Sequence, residues 1–219
     1  MRLLRQIVHK GIDEIAARAY KLRPLHPLRL RVGPLHAQPH LPAGGIPDVL
    51  PLRIPLKRRA HRITVRSPVA GLAPPNDLLT LHVYPPKGPS KGVVVLSPFW
   101  LIPGPWALSN YIGLVRRLGM HAVLYTPPDH MARTPAGYFS GERLLGWDFP
   151  HMETMLQTAA AELVAVTRGL KEAGKPVYLV GLSLGGLYAA MAALGGAAID
   201  GLALLTPAAD IQESMGNTT

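Results

Sequence analysis

Apolar and polar positions follow three different patterns along the chain. Over residues 1–20, apolar side chains recur every three or four residues on one helical face, which predicts an amphipathic helix. From residue 21 to residue 75 the chain is rich in Pro, His and Arg, a composition that favours extended segments along a surface. From residue 61 onward, strand-like and helix-like patterns alternate. We therefore divide the chain into an arm, residues 1–60, and a domain, residues 61–219.

The domain contains six strand-like segments. The first two alternate apolar and polar residues and predict a hairpin, whereas the third is continuously apolar and predicts a buried strand. The six segments are residues 61–71, 78–86, 92–99, 121–128, 176–183 and 199–207. Helical patterns separate the later ones, over residues 107–120, over about 153–173 and after Ser183. This order predicts an α/β fold with a mostly parallel, doubly wound sheet, helices on both faces, and a functional edge at the carboxyl ends of the strands.

Composition narrows the classes of function. Hydrophobic residues make up 48% of the chain and charged residues 16%, as in a well-packed protein, and no apolar run reaches the roughly 20 residues that cross a bilayer. The absence of cysteine excludes disulfides, thiolate catalysis and cysteine-based zinc sites. We expect no metal and no cofactor. The first residues lack the continuous apolar core of a secretory signal, so a cytoplasmic location is the default.

The net charge of +10 is unevenly distributed. Residues 1–66 carry fourteen Lys or Arg and three acidic residues, a net charge of +11, and the rest of the chain carries nine against ten, a net charge of −1. The basic amino-terminal helix could dock on the domain or lie on an anionic membrane surface as a peripheral attachment. A basic cluster at residues 57–59 and Arg62 is interpreted as part of a solvated arm, because no nucleic-acid motif accompanies it. Nucleic acid is therefore not an expected partner.

The join between the fifth strand and the following helix carries the strongest chemical signal. Gly181, Ser183 and Gly185 form a G-x-S-x-G motif with a strand before it and a helix after it. A tight strand-to-helix turn exposes the serine hydroxyl so that a base can take its proton, and the glycines leave room for the turn. The amide of Leu184 then lies at a helix N-terminus, where it can stabilise an oxyanion. The alternative is a glycine-rich turn that serves packing alone.

These features resemble the α/β-hydrolase family over roughly residues 60–210. The resemblance rests on the order of strands and helices, the strand-turn-helix at residues 181–185, which we call the nucleophile elbow, and the loop after the third strand. Family members usually carry His-Gly in that loop, and this chain has Ser97 and Pro98, followed by Phe99 and Trp100. The resemblance implies that the Phe99 or the Trp100 amide donates the second hydrogen bond to the oxyanion, since proline has no N–H.

Aromatic residues in the same loop suggest the kind of substrate. Phe99, Trp100 and Trp106 would line an apolar pocket for the acyl group of a small ester. The alternative is that these side chains belong to the core.

The segment after the fourth strand, residues 127–142, is similar to a segment of a poorly characterised group of bacterial α/β-hydrolases. Its position at a strand's carboxyl end would let His130, Arg133 and Glu142 reach the site and bind a polar or anionic part of a substrate. The alternative is a loop held together by a pair between Arg133 and Glu142.

The partners of Ser183 are harder to assign. In α/β-hydrolases the triad runs along the chain as Ser, then Asp or Glu, then His, and no histidine follows Ser183 here. Asp210, just after the sixth strand, could supply the acid, or could cap a turn. His130 or His151 could act as the base if its loop reached Ser183, and the alternative for each is a surface or packing role.

The family pattern also implies further strand-helix units beyond the sixth strand. The domain therefore resembles the amino-terminal portion of a hydrolase that is truncated after about its sixth strand. That strand would form an exposed sheet edge at which a homodimer could assemble, and a partner chain could supply the missing base.

Two hypotheses of function follow. The first is a serine carboxylesterase that acts on a hydrophobic acyl ester with Ser183 as nucleophile. The second is a catalytically weak or inactive hydrolase-like module that binds a membrane surface or an acidic partner through residues 1–66. A nucleotide-binding phosphate loop is disfavoured because the chain has no G-x-x-x-x-G-K-[ST] motif.

Overall fold

A computed structural model of the protein describes residues 46–145 and 148–206. Within these residues the chain forms six strands, three α-helices and short 3-10 turns. The predicted amino-terminal helix, the first part of the arm and Asp210 lie outside the described residues. The expectations placed on them stay predictions, as does the division of the chain after residue 60.

The six strands form a single sheet. They are β1 (His61–Arg66), β2 (Leu78–Tyr84), β3 (Val93–Ser97), β4 (His121–Thr126), β5 (Val177–Leu182) and β6 (Gly201–Leu205), in the spatial order β1-β2-β4-β3-β5-β6. β2 is antiparallel to both β1 and β4, and the other neighbouring strands are parallel. The predicted hairpin and the mostly parallel sheet are confirmed. The carboxyl ends of β3, β4 and β5 lie at one edge, where the elbow follows β5.

Helices cover both faces of the sheet. They are α1 (Ser109–Arg117), α2 (Phe149–Lys171) and α3 (Leu184–Leu194). In β3, Val93 and Val95 pack in a core cluster with residues of α2 and α3, and Val94 and Leu96 pack in a second cluster with residues of α1. This alternation follows from the pleat of the strand, and it explains why all of β3 is buried. None of the helices in the described ranges is long and apolar enough to cross a membrane.

α2 begins at Phe149, earlier than the start near residue 153 that the apolar pattern predicts. Asp148 caps the helix, because its Oδ1 accepts a hydrogen bond from the His151 amide at 3.1 Å. Pro150 follows in the first turn, where no intrahelical bond requires its N–H. The cap extends the helix beyond its apolar stripe and places His151 in the first turn.

The described end of the arm, residues 46–60, packs against the domain. Val49 and Ile54 are buried in the core, and the Leu52 amide donates to the carbonyl of Ala165 in α2 at 3.0 Å. The segment contains neither a strand nor a helix, as its composition predicts, and the basic cluster is exposed. Apolar side chains at intervals therefore attach this otherwise solvated segment to the domain.

β6 lies at one end of the sheet. It pairs with β5, and the side chains of Leu202, Leu204 and Leu205 are between 37% and 41% exposed. Over residues 46–145 and 148–206, no strand pairs with the other side of β6. A homodimer through this edge stays a prediction.

Candidate active site

The turn between β5 and α3 holds Ser183 in a strained conformation. Its φ and ψ angles are 51° and −119°, a combination that residues with a side chain rarely adopt. Two hydrogen bonds fix the turn: the Ser183 amide donates to the Leu205 carbonyl at 2.9 Å, and the Ser183 carbonyl accepts from the Gly186 amide at 2.7 Å. The structure thus has the strand-turn-helix arrangement that the motif predicts.

Close backbone contacts require the two glycines of the motif. A Cβ atom at Gly181 would lie 2.6 Å from the Cα of Gly186. A Cβ atom at Gly185 would collide with the carbonyl oxygens of Ser97 and Pro98. Gly185 therefore allows direct backbone contact between the elbow and the loop that follows β3.

Two backbone amides flank this contact. Leu184 is the first residue of α3, and Phe99 lies two residues after the end of β3. Neither amide donates a hydrogen bond to an acceptor in the part of the chain that the structure describes. A pair of free N–H groups beside a nucleophile is the arrangement that stabilises an oxyanion. The role of these two amides in catalysis stays a prediction.

Arg133 does not lie where the sequence analysis places it. Its side chain is 1% exposed and forms a bidentate ion pair with Glu162 of α2, with Nη1–Oε2 and Nη2–Oε1 distances of 2.6 and 2.8 Å. The same two nitrogens donate to the carbonyls of Thr126 and Asn76. A guanidinium buried in this way does not bind a substrate, so the expected substrate-binding role is wrong. The loop is held in place as the alternative predicted, but by Glu162 instead of Glu142.

Glu162 is the centre of a buried polar network. Its Oε1 accepts a hydrogen bond from the Ser67 hydroxyl at 2.6 Å, and its Oε2 accepts one from the Tyr125 hydroxyl at 2.5 Å. Burial raises the pKa of Tyr125 well above its usual value, and the Glu162 charge raises it further, so the phenol remains a donor. Together with the ion pair to Arg133, these bonds give each carboxylate oxygen of Glu162 at least two partners.

His130 is also enclosed by protein. Its Nδ1 is 2.7 Å from the Pro128 carbonyl oxygen, and its buried Nε2 has no partner in the described part of the chain. Burial lowers the pKa of His130 to about 4, although the bond to Pro128 and the charge of Asp129 oppose the shift. A ring so enclosed and so weakly basic is poorly suited to the catalytic role predicted for it.

A carboxylate-imidazole pair that the sequence analysis did not connect lies after β4. The Asp129 Oδ2 is 2.6 Å from the Nε2 of His151, in the first turn of α2. Asn76 holds the same carboxylate, because its Nδ2 donates to the Asp129 Oδ1 at 2.6 Å and its Oδ1 accepts from the Asp129 amide at 2.8 Å. The Asp129 side chain is completely buried, and that of His151 is 15% exposed. In such a pair the carboxylate can orient a general base.

The charge of Asp129 affects a buried tyrosine in the helix that follows the elbow. Tyr188 lies in α3, the helix that begins directly after Ser183, and its hydroxyl has no partner among the described residues. Burial raises the pKa of Tyr188 strongly, and the charge of Asp129 raises it further. Asp129 is therefore close enough to influence a side chain of the elbow helix.

No protein-family model matches the sequence, and no curated protein matches it. Solved structures similar to it include a thermostable carboxyl esterase from Bacillus coagulans, a cold-adapted esterase from an Arctic intertidal metagenomic library and a dienelactone hydrolase from Anabaena variabilis. They are 16%, 18% and 16% identical to this chain, with TM-scores of 0.42, 0.49 and 0.43. The matches cover 68%, 68% and 67% of this chain and 44%, 61% and 63% of theirs, less than two thirds of each.

The succession of strands and helices along the chain and the strand-turn-helix at Ser183 are features on which the sequence resemblance rests, and the structure has both. The chain has the α/β-hydrolase fold. Within the described residues this α/β-hydrolase fold extends as far as its sixth strand.

The aromatic residues near the elbow of this α/β-hydrolase fold have three different environments. The Phe99 ring is buried in the core beside α1, as the alternative interpretation predicts. Trp100 is half-buried, and its Nε1 donates to the Gly141 carbonyl at 2.9 Å. Trp106, in the 3-10 turn Pro105–Leu108, is 66% exposed. Of the three rings, only those of Trp100 and Trp106 remain candidates for contact with a substrate.

Proposed function

We propose that the protein is a serine hydrolase that cleaves a carboxylic ester with a hydrophobic acyl group. The observation that carries this proposal is the strained turn at Ser183. Through Gly185 this turn contacts the loop that follows β3 and contains Phe99, which we call the Phe99 loop. Strained backbone persists where surrounding structure fixes it, and it is concentrated at functional sites. A turn that served packing alone would adopt this conformation with less strain if the residue were glycine.

The proposed reaction has two stages. The Ser183 Oγ attacks the ester carbonyl carbon while a base takes its proton, and the carbonyl oxygen becomes an oxyanion that the Leu184 and Phe99 amides bind. The protonated base gives its proton to the leaving alcohol as the C–O bond breaks, and an acyl-enzyme remains. Water, activated by the same base, then releases the carboxylic acid and restores the serine.

As the base we propose His151 in preference to His130. With the Nε2–H of His151 donating to Asp129, the Nδ1 keeps a lone pair that can accept the Ser183 proton. The negative charge of Asp129 also stabilises the imidazolium that forms. His130 instead contacts a backbone carbonyl and is enclosed on all sides. The difference in partner and in access favours His151.

Exposed aromatic rings in the loops after β3 and β4 favour an apolar acyl group. Trp106 is 66% exposed, and Tyr138 and Phe139, in the segment after β4, are 50% and 39% exposed. The bond from Trp100 to Gly141 joins the two loops that carry these rings. Flat apolar surfaces of this kind suit a hydrocarbon chain better than a sugar or a nucleotide.

Labelling with a fluorophosphonate tests the proposal, because this reagent reacts with an activated serine. We expect the wild-type chain to be labelled at Ser183, as identified by peptide mass spectrometry, and the Ser183→Ala variant to remain unlabelled. Ser90→Ala is the matched control and should react like the wild type. A wild-type protein that is not labelled, or that is labelled at another serine, would contradict the proposal and favour the non-catalytic module.

The same assay tests the assignment of the base. We expect His151→Gln to slow labelling at pH 7 by at least about a hundredfold, since general base catalysis is typically worth that much or more. The equivalent substitution His130→Gln distinguishes the two histidines. If His130→Gln slowed labelling more than His151→Gln did, the assignment would be wrong although the hydrolase proposal would stand.

A further inference from the structure

We propose that residues 129–142, which we call the bracing loop, position the oxyanion-binding amide of Phe99, and that Ser140 and Gly141 are the positioning residues. This inference rests on the proposed function. It also gives a role to a segment in which Arg133, the residue expected to bind substrate, is buried.

Ser140 joins two loops through its hydroxyl group. Its Oγ donates to the Ile102 carbonyl at 2.5 Å and accepts a hydrogen bond from the Met131 amide at 2.9 Å. One hydroxyl thus connects the loop after β3 with the beginning of the bracing loop. Alanine at this position would leave both backbone groups without that partner.

Gly141 makes a second connection through its backbone. Its carbonyl accepts from the Trp100 Nε1 at 2.9 Å, and its amide donates to the Asp129 carbonyl at 2.7 Å. Its φ angle is +80°, and a Cβ atom there would lie 2.7 Å from the His130 Nε2 and 3.1 Å from the Leu101 nitrogen. Glycine therefore satisfies both the backbone conformation and the close approach of the two loops.

The bracing loop is itself attached to the interior at two points. Arg133 forms its buried ion pair with Glu162 of α2, and Asn76 forms two hydrogen bonds with Asp129. Buried ion pairs and hydrogen bonds of this kind favour one arrangement of side chains and backbone, although the Arg133 Nε has no partner among the described residues. The loop can therefore act as a rigid support for whatever it contacts.

The supported segment contains a strained residue. Leu101 has a φ angle of +59°, a left-handed conformation that is uncommon outside glycine. Such a conformation persists when neighbouring contacts fix it, and here the Trp100 and Ser140 bonds lie on either side of it. The Phe99 amide is two residues away, so its direction depends on the same bonds. An oxyanion donor acts only when it is held at hydrogen-bond distance from the developing charge.

Ser140→Ala tests the inference through fluorophosphonate labelling and through hydrolysis of a p-nitrophenyl ester. We expect the labelling rate and kcat to fall by about tenfold to a hundredfold with KM nearly unchanged. The Ser140 hydroxyl bonds to the backbone and not to the substrate, so its loss weakens only the stabilisation of the oxyanion. Ser140→Thr keeps the hydroxyl and should restore most of the rate. The control is Ser90→Ala, which removes a hydroxyl that donates to the Gly92 carbonyl at 2.9 Å near the start of β3. It should leave both rates unchanged.

The outcomes separate this inference from the proposed function. If wild-type Ser183 is labelled and Ser140→Ala reacts at the same rate, or Ser90→Ala is slowed equally, the bracing role is wrong and the hydrolase stands. Should thermal unfolding show that Ser140→Ala does not fold, Trp100→Phe decides in its place. It removes the Nε1 donor and keeps an aromatic ring, and it should slow labelling. If the wild type is not labelled at all, the proposed function fails and the bracing role fails with it.

Discussion

The elbow after β5 and the bracing loop after β4 follow neighbouring parts of one sheet, yet different interactions determine them. At the elbow, Gly181, Ser183 and Gly185 specify the turn within five residues. In the bracing loop, the bonds that fix the backbone join residues far apart in sequence. Arg133 and Glu162 are 29 positions apart, and Asn76 and Asp129 are 53 apart.

This difference predicts two kinds of failure. A substitution in the elbow changes the position of a reactive group, so reactivity should fall while the core packing and the stability of the fold are largely kept. A substitution in the anchors of the bracing loop leaves a buried charge or polar group without its partner, so stability should fall first.

Glu162→Leu should have the largest effect on stability. It leaves the buried Arg133 guanidinium without its ion-pair partner, and breaking such a pair typically costs about 3–5 kcal/mol. The measurement is the free energy of unfolding in urea. Glu153→Leu, at an exposed position of the same helix, is the matched control and should change it by less than about 1 kcal/mol.

Removing both charges sharpens this test. Because an apolar replacement of a whole buried pair is often tolerated, Glu162→Leu with Arg133→Met should recover part of the loss. A double variant no more stable than Glu162→Leu alone would show that the buried pair does not account for the effect.

Gly185→Ala should have the next largest effect, on reactivity. A Cβ atom there collides with the carbonyl oxygens of Ser97 and Pro98, so the elbow must move away from the Phe99 loop. Displacing the proposed nucleophile and a proposed oxyanion donor together should slow fluorophosphonate labelling by about 10³-fold, equivalent to about 4 kcal/mol.

Gly113→Ala is the control for that substitution. Gly113 lies inside α1, where the nearest atom to an added Cβ is 3.6 Å away, and alanine is favoured over glycine in helices by about 0.5–1 kcal/mol. It should label normally and unfold at a slightly higher temperature. Normal labelling of Gly185→Ala would mean that the contact between the elbow and the β3 loop does not matter for reactivity.

The same contrast explains what the sequence could predict. The six strands, the three helices and the elbow follow from apolar periodicity and from a local motif, and the structure has them. The partner of Arg133 could not be found by spacing, since it lies on another element. One signal was present: Glu162 is the single acidic residue in the otherwise apolar run 159–166, and a charge in such a run needs a buried partner.

The pair of Asp129 and His151 carried no comparable signal. His151 enters the first turn of α2 only because Asp148 caps the helix ahead of its apolar stripe. Asp129 has a positive φ of 59°, which turns the chain immediately after β4. Both placements depend on backbone geometry at the ends of elements, where periodicity gives no information.

Compared with Glu162→Leu and Gly185→Ala, a smaller effect is expected from His130, as a dependence of stability on pH. Burial lowers the pKa of His130 from 6.5 to about 4 in the folded protein, against the opposing charge of Asp129. Below pH 6.5 the unfolded chain therefore binds a proton that the folded protein does not bind, so the folded state loses stability as the pH falls towards 4. The loss should reach on the order of 3 kcal/mol, since each unit of pKa difference corresponds to about 1.4 kcal/mol.

Because acidic residues also titrate at low pH, the informative quantity is the difference in unfolding free energy between the wild type and His130→Gln. We expect that difference to shift by up to about 3 kcal/mol in favour of the variant between pH 7 and pH 4. A difference that stayed constant over this range would mean that His130 is charged, or accessible to water, in the folded protein. In that case His130 would not be enclosed by the protein, and enclosure is the feature that most distinguishes the bracing loop from the elbow. His130 would again be a candidate for the base of Ser183.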